Sequence, residues 1–276
     1  MLGLLAAMLW GLHDFTVRRI SAVADPAALY LVVLGFGSIV LIPLSYGSGG
    51  PGELALATVG FSALAGLVYA LGVYALYRAF AIGPVRLVAP ICGAYPLLSI
   101  GIAIGQGQPA TALVWLAALA VLGGIGVVAQ GEGGADKGSR RTAIGWSVLA
   151  ASGFAVSFAM LHSAAQSMAH GHVALIARLA GFAAMLVWVL TQGINVKPAL
   201  TLWPTLLLMG LLDVGGMIAV TAAGSYTRPE FAAVSSSCFG LVTILLAWRF
   251  LKEKLTKAQW MGAAMVFGGI IVLGLA

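Results

Sequence analysis

The chain has 276 residues, of which 61% are hydrophobic and only 8% are charged, and its mean hydropathy is +1.06. Charged residues make up about a quarter of a soluble domain, so this composition excludes a soluble globular protein. The formal net charge of +6 comes mostly from basic residues in the short links between apolar segments and at the ends of those segments. We therefore expect a lipid bilayer, and no nucleic acid, as the partner of the basic residues.

Ten apolar segments follow one another along the chain, each near the roughly 20 residues with which a helix crosses a bilayer. They are continuously apolar and do not alternate, which favours helices over a barrel of strands. We place them at 1–20, 26–46, 55–80, 85–105, 109–130, 142–164, 172–192, 202–225, 230–251 and 258–276. The predicted fold class is an all-α membrane protein with ten transmembrane helices.

The second half of the chain repeats the first. With a constant offset of 145, identical residues coincide at Pro84 and Pro229, Thr111 and Thr256, Trp115 and Trp260, and Gly124 and Gly269. We therefore predict a five-helix repeat over 1–130, a cytoplasmic linker over 131–141 and a second five-helix repeat over 142–276. Five is an odd number, so the second repeat is expected to be inverted in the membrane. Duplication of this kind is typical of secondary transporters, whose site forms between the repeats.

The basic residues indicate the orientation of the chain. Of the 14 Lys and Arg residues, only Arg178 and Arg228 fall outside the links that follow the odd-numbered helices and the flanks of those links. The positive-inside rule places the other twelve in the cytoplasm and both termini outside. The expected location is the bacterial cytoplasmic (inner) membrane.

Several motifs carry a family resemblance. They are Trp10-Gly11 in the first helix, the run from Tyr77 to Pro84 between the third and fourth helices, and the run from Phe250 to Thr256 near the end of the second copy. With these motifs the chain resembles the drug/metabolite transporter superfamily, specifically its ten-helix EamA-type exporters. The aromatic residues near Tyr74 and Tyr95 resemble those of YddG-type amino-acid exporters. The chain departs from the pattern at Ser235, which stands where the first repeat has Pro90, and at Gln108, which stands where the second has Glu253.

Two acidic residues lie inside predicted helices. A carboxylate in a lipid-spanning helix costs roughly 2.5–3.5 kcal/mol, so each should face the protein interior or water. Asp14 shares a helix face with Trp10 and His13, and two interpretations stay open: a cavity acid that binds an ammonium or a proton, or an i,i+4 pair with Arg18. Asp213 has no basic residue within a turn. We predict that it is unpaired, protonated in the empty site and ready to accept a substrate ammonium, the alternative being a protonated carboxyl bonded to a backbone carbonyl.

Helices 3, 4, 8 and 9, with 1 and 6, are predicted to surround a central cavity, and helices 5 and 10 to pack at the periphery. Aromatic and methionine side chains are expected to form an apolar wall, and serine hydroxyls or Arg78 to bind a substrate carboxylate. Tyrosines at helix ends also form interfacial belts, so a binding role competes with that alternative. The predicted substrate-binding residues are Trp10, His13, Asp14, Tyr74, Arg78, Pro90, Tyr95, Met160, Asp213, Met217, Ser235, Ser236 and Ser237.

The function that this pattern predicts is export of amino acids or related small metabolites by alternating access, in a protein that works as a monomer. A multidrug or quaternary-ammonium exporter is the alternative, because it also needs an acid and an aromatic cage. An intramembrane enzyme is a different class of alternative, but the chain lacks H-E-x-x-H and G-x-S-G motifs. A channel is disfavoured by the short links. We expect no enzymatic activity, no cofactor and no metal.

The predicted orientation can be tested by labelling a single cysteine. Lys137→Cys, placed in a background without Cys92 and Cys238, should react with an impermeant maleimide only after intact cells are opened, because the linker is cytoplasmic. Labelling of intact cells from the periplasmic side would contradict this topology.

Overall fold

A computed structural model describes residues 2–47, 55–105, 107, 109–130, 137–224 and 235–275. Within these ranges the chain is helical, and no strand occurs. The helices are α1 Leu2–Ile20, α2 Pro26–Gly47, α3 Leu56–Ile82, α4 Val85–Gly93, α5 Tyr95–Gly105, α6 Ala112–Gln130, α7 Lys137–Ala164, α8 His170–Thr191, α9 Lys197–Leu200, α10 Trp203–Gly224, α11 Phe239–Phe250 and α12 Lys257–Leu275. Most of the predicted linker, Gln108, Arg228 and the start of the predicted ninth span lie outside the described residues.

The helices confirm a multi-pass membrane protein. Five helical stretches are long and apolar enough to cross a bilayer: Pro26–Gly47, Leu56–Ile82, Val85–Ile102 (α4 with most of α5), Ser139–Ala164 and His170–Thr191. Shorter apolar helices occupy Ala112–Val128, Trp203–Ala219, Ser235–Phe250 and Lys257–Leu273. The first predicted span is a helix, α1, but belongs to neither group. The number of ten spans therefore stays a prediction.

The fourth predicted span is interrupted. A turn at Ala94 separates α4 from α5 within the span predicted over 85–105, although Val85–Ile102 together is still long and apolar enough to cross a bilayer. The cause lies in Pro90 and Pro96, because each proline lacks an N–H group and its ring crowds the carbonyl four residues earlier. The Ala94 N–H group bonds to the Ile91 carbonyl at 3.3 Å, which is the tighter i to i−3 pattern.

Small residues bring the helices together. Between α3 and α7, a Cβ atom added at Gly153 would lie 2.7 Å from the Cα of Gly72. Between α6 and α12, a Cβ atom added at Gly124 would lie 2.6 Å from the Gly262 carbonyl oxygen. Lipid tails are as apolar as leucine, so helices in a membrane associate through such close packing and not through a hydrophobic driving force.

The contact between α6 and α12 relates equivalent parts of the two sequence repeats. Gly124 packs on Gly262, and Gly269 packs on Ala117. From the first contact to the second, the position moves towards the start of α6 and towards the end of α12. The two helices therefore run antiparallel. The repeat offset of 145 converts the first contact into the second. Such an exchange of partners is the relation that a twofold axis produces.

Two glycines of α6 and α12, one inside this contact and one outside it, offer a matched test of packing. Gly124→Ala should lower the midpoint of thermal unfolding in detergent, since its Cβ atom meets a backbone carbonyl that cannot move away. Gly268→Ala should leave the midpoint unchanged or raise it, because the added atom meets nothing within 4 Å and alanine favours a helix by about 0.5–1 kcal/mol. Equal effects of the two substitutions would contradict the close packing of α6 on α12.

Candidate functional site

Two adjoining cavities lie among the helices. The larger has a volume of about 320 Å³ and the smaller about 30 Å³. Both are lined by Trp10, Tyr69, Tyr95 and Phe158, so the two spaces share one wall. None of the described residues of α6 or α12 lines either cavity, in agreement with the predicted peripheral position of these helices.

The shared wall is built around Phe158 of α7. The ring of Phe158 lies 5.4 Å from that of Tyr95, 5.8 Å from that of Tyr69 and 6.4 Å from that of Trp10, measured between centroids. These are the distances at which aromatic pairs stabilise one another beyond their buried area. Rings from α1, α3, α5 and α7 therefore form a stiff apolar surface.

A buried ion pair lies beside this wall. Nη1 of Arg178 on α8 donates to Oδ2 of Asp213 on α10 at 2.6 Å, and Nη2 donates to the Val33 carbonyl at 3.3 Å. Arg178 and Asp213 are 6% and 8% exposed. Gly37 on α2 leaves space for the guanidinium, because any Cβ atom there would overlap it.

The prediction that Asp213 is unpaired is therefore wrong. Its partner comes from another helix, 35 residues away in sequence, and a search within one helical turn misses it.

Asp14 belongs to a second polar group. Its Oδ1 lies 3.0 Å from Nδ1 of His13, and Nε2 of His13 lies 3.1 Å from the Tyr77 hydroxyl. Its Oδ2 is buried and has no hydrogen-bond partner in the part of the chain described. The interpretation of Asp14 as an ion-pair partner of Arg18 is wrong, because Arg18 bonds to the Phe80 carbonyl at 2.9 Å and approaches Glu253 instead.

Glu253 ties three segments together at one end of the helices. Its carboxylate accepts bonds from the N–H groups of Val85 at 3.2 Å and Arg86 at 3.4 Å, and lies 3.6 Å from Nε of Arg18. The two N–H groups open α4 and have no partner within their own helix, so an anion there is stabilised by both hydrogen bonds and the helix dipole. Arg86 in turn donates to the Lys254 carbonyl at 3.3 Å. We call these residues the Glu253 cluster.

The structure brings about half of the predicted site residues to the cavities. Those that line a cavity are Trp10, His13, Asp14, Tyr95, Asp213, Met217 and Ser236. Those that line neither are Tyr74, Arg78, Pro90, Met160, Ser235 and Ser237. Tyr74 and Arg78 instead contact the ring of Trp146, at 6.0 Å and 5.7 Å. Their roles in binding stay predictions.

Other cavity residues were missed by sequence reasoning. Tyr30, Tyr69, Phe154, Phe158, Arg178 and Phe239 all line a cavity. Arg178 carries a usable signal, because an arginine inside an apolar helix marks a functional position. Phe154 and Phe158 are four residues apart and share a helix face. Helices α2 and α8 also contribute to the larger cavity, so the predicted ring of helices omitted two members.

The EamA-like transporter family model matches residues 1–130 and 141–275. The chain belongs to the EamA-like transporter family. It is thus a membrane transporter of the drug/metabolite type, and the prediction that it is not an enzyme agrees with this membership. A protein of known crystal structure has a similar fold, with a TM-score of 0.70 at 15% identity over 99% of this chain and 97% of the other. Comparison with curated proteins gave no match.

The Glu253 cluster of this EamA-like transporter makes a testable contribution to stability. Glu253→Gln should lower the midpoint of thermal unfolding, because a neutral amide loses the charge that favours the start of α4, an effect of about 0.3–1 kcal/mol. Asp25→Asn is the control: Oδ1 of Asp25 accepts a bond from the Ala27 N–H at 2.8 Å, and asparagine accepts the same bond. A midpoint that stays unchanged in Glu253→Gln would show that the carboxylate does not stabilise the end of the helices at which the Glu253 cluster lies.

Proposed function

We propose that this EamA-like transporter exports amino acids or related small metabolites across the bacterial cytoplasmic membrane by alternating access, as a monomer. The observation that carries the proposal is the buried, aromatic-walled cavity with the carboxylates of Asp14 and Asp213 beside it. Its volume of about 320 Å³ lies at the lower end of the roughly 300–1,000 Å³ of small-molecule sites. The outward direction follows the exporters that the sequence resembles.

Alternating access needs two halves that can exchange conformations, and we propose that 1–130 and 142–276 are inverted repeats. The antiparallel contact of α6 and α12 supports this arrangement. The other contacts support it too: α3 packs on α7 and α8, and the equivalent α10 packs on α1 and α2. Likewise α1 packs on α11, and the equivalent α7 packs on α4 and α5. In such transporters the repeats move against each other around a fixed site.

The chemistry of the cavity suits an amino group. A substrate ammonium needs an acceptor in surroundings of low dielectric constant, and the carboxylates of Asp14 and Asp213 are placed to supply one. The substrate side chain meets the wall around Phe158. Hydroxyl groups are also at hand, since the Tyr95 hydroxyl lies 3.5 Å from Oγ of Ser236.

The two ends of the helices differ in a way that supports alternating access. At one end the Glu253 cluster ties α1 and α4 to the segment after α11. At the other, the larger cavity extends to the exposed His162 and His170. With the predicted orientation, the tied end faces the cytoplasm and the cavity faces outward. The structure then corresponds to an outward-facing conformation.

Asp14 favours a second candidate function. Its Oδ2 has no hydrogen-bond partner among the described residues, and its neighbours on the smaller cavity include Trp10, Tyr69 and Phe154. A carboxylate among aromatic rings attracts lipophilic cations. Export of quaternary-ammonium compounds is therefore the alternative substrate class.

Flux measurements in proteoliposomes separate the two candidates. The wild-type protein should move radiolabelled amino acids and leave tetraphenylphosphonium behind. Asp213→Asn should lower amino-acid flux at least tenfold, because the ammonium loses a charged acceptor, and Asp25→Asn should retain it. Since Asp213→Asn also leaves Arg178 without its charged partner, folding is checked by gel filtration.

Asp14→Asn provides a second variant that does not touch Arg178, and it should lower amino-acid flux as well. Full flux in both folded variants would remove the carboxylates from the mechanism. Movement of tetraphenylphosphonium but of no amino acid would replace the proposed function with the second candidate.

A further inference from the structure

We infer that Arg178 is the carboxylate anchor of the transport site, and that Arg178 and Asp213 exchange their mutual ion pair for the two charged groups of a zwitterionic substrate. The inference rests on the proposed function and deepens it by naming the substrate class. That class is small molecules with one carboxylate and one ammonium group.

The position of the ion pair is the first support. Arg178 lines the larger cavity and Asp213 lines the smaller one. The pair therefore lies where the two spaces adjoin, next to the aromatic wall that both share. A molecule that occupies both cavities along this wall lies next to Asp213 in the smaller cavity and next to Arg178 in the larger one.

Arg178 keeps donor capacity beyond its present bonds. A guanidinium group has five N–H donors. Within the described ranges, its recorded bonds run from Nη1 to Asp213 and from Nη2 to the Val33 carbonyl, while Nε is buried without a partner. Guanidinium groups bind carboxylates through two parallel hydrogen bonds, a geometry that lysine cannot reproduce.

Charge balance then selects the substrate. A zwitterion brings no net charge into the cavity, and its ammonium and carboxylate give Asp213 and Arg178 one new partner each. A simple cation that takes Asp213 leaves the guanidinium without its partner, and a simple anion that takes Arg178 leaves the carboxylate without one. An uncompensated buried charge is strongly unfavourable. The pair therefore favours zwitterions over molecules that carry only one of the two groups.

A purely structural pair is the competing explanation. Arg178 connects α8 to α10 and α2, and such a connection stabilises the fold whatever the substrate is. In that case the preference for a carboxylate is independent of Arg178, and removal of both charges restores function, because replacing a buried pair by neutral groups is often tolerated.

The experiment measures uptake of leucine, leucinamide and 4-methylpentanoate into proteoliposomes. Leucinamide lacks the carboxylate and 4-methylpentanoate lacks the ammonium group. The variants are Arg178→Lys, Arg178→Gln and the double variant Arg178→Gln/Asp213→Asn. The control is Arg249→Gln, which changes an arginine that contacts the ring of Phe250 outside the cavities.

The wild-type protein and Arg249→Gln should prefer leucine over both analogues by about tenfold or more, as expected for a hydrogen bond to a charged group. Arg178→Gln should lose the preference over leucinamide, and Arg178→Lys should keep part of it. The double variant contains no unpaired charge, so it remains informative where Arg178→Gln alone fails to fold. It should show no preference for leucine over leucinamide.

Two results would overturn the inference, and they differ in what they mean for the proposed function. A preference for leucine that persists in Arg178→Gln or returns in the double variant assigns Arg178 a structural role, while amino-acid export stands. Wild-type transport of tetraphenylphosphonium, together with no transport of any carboxylate-bearing probe, would contradict both this inference and the proposed amino-acid export.

Discussion

The ion pair between Arg178 and Asp213 constrains the interior of this transporter more than any other described contact. Ionised groups lose their hydration when they are buried, so neither residue is tolerated there without the other. The guanidinium also bonds to the Val33 carbonyl, which brings a third helix into the arrangement. Space for it exists because Gly37 has no side chain, and α2 and α10 approach closely at this glycine, where a Cβ atom added at Gly210 would lie 3.0 Å from the Gly37 nitrogen. The positions of α2, α8 and α10 thus follow from one charge that must be paired.

The helices pack through different kinds of side chain at the periphery and in the interior. Where α6 meets α12, small residues let the backbones touch, and no space remains between them. Around Phe158 the opposite holds, because bulky rings from four helices meet edge to face and stack without filling the volume between them. Close packing at the rim and large rings in the middle leave a cavity between the helices.

Sequence reasoning succeeded where the signal is local. Long apolar runs located most helices because lipid demands them, and the resemblance to EamA-type exporters was confirmed at the level of the family. The turn at Ala94 divides the span predicted over 85–105, and Pro90 and Pro96 provide a physical reason for it. The prediction for Asp213 failed because a single helix does not reveal a partner on its neighbour. Seven of the thirteen predicted site residues line a cavity, and of those that do not, Tyr74 and Arg78 contact the ring of Trp146. The position of a helix along the sequence follows from local composition, but the direction in which each side chain faces depends on how the helices pack in three dimensions.

The neutrality of the buried pair has a consequence for energetics in a polarised membrane. A potential of 100 mV does work of about 2.3 kcal/mol on each elementary charge that crosses it. Arg178 and Asp213 lie 2.6 Å apart and carry opposite charges, so the field exerts nearly equal and opposite forces on them. In the proposed alternating access, a change in the exposure of α8 and α10 from one face of the bilayer to the other would gain no voltage-dependent term from this pair.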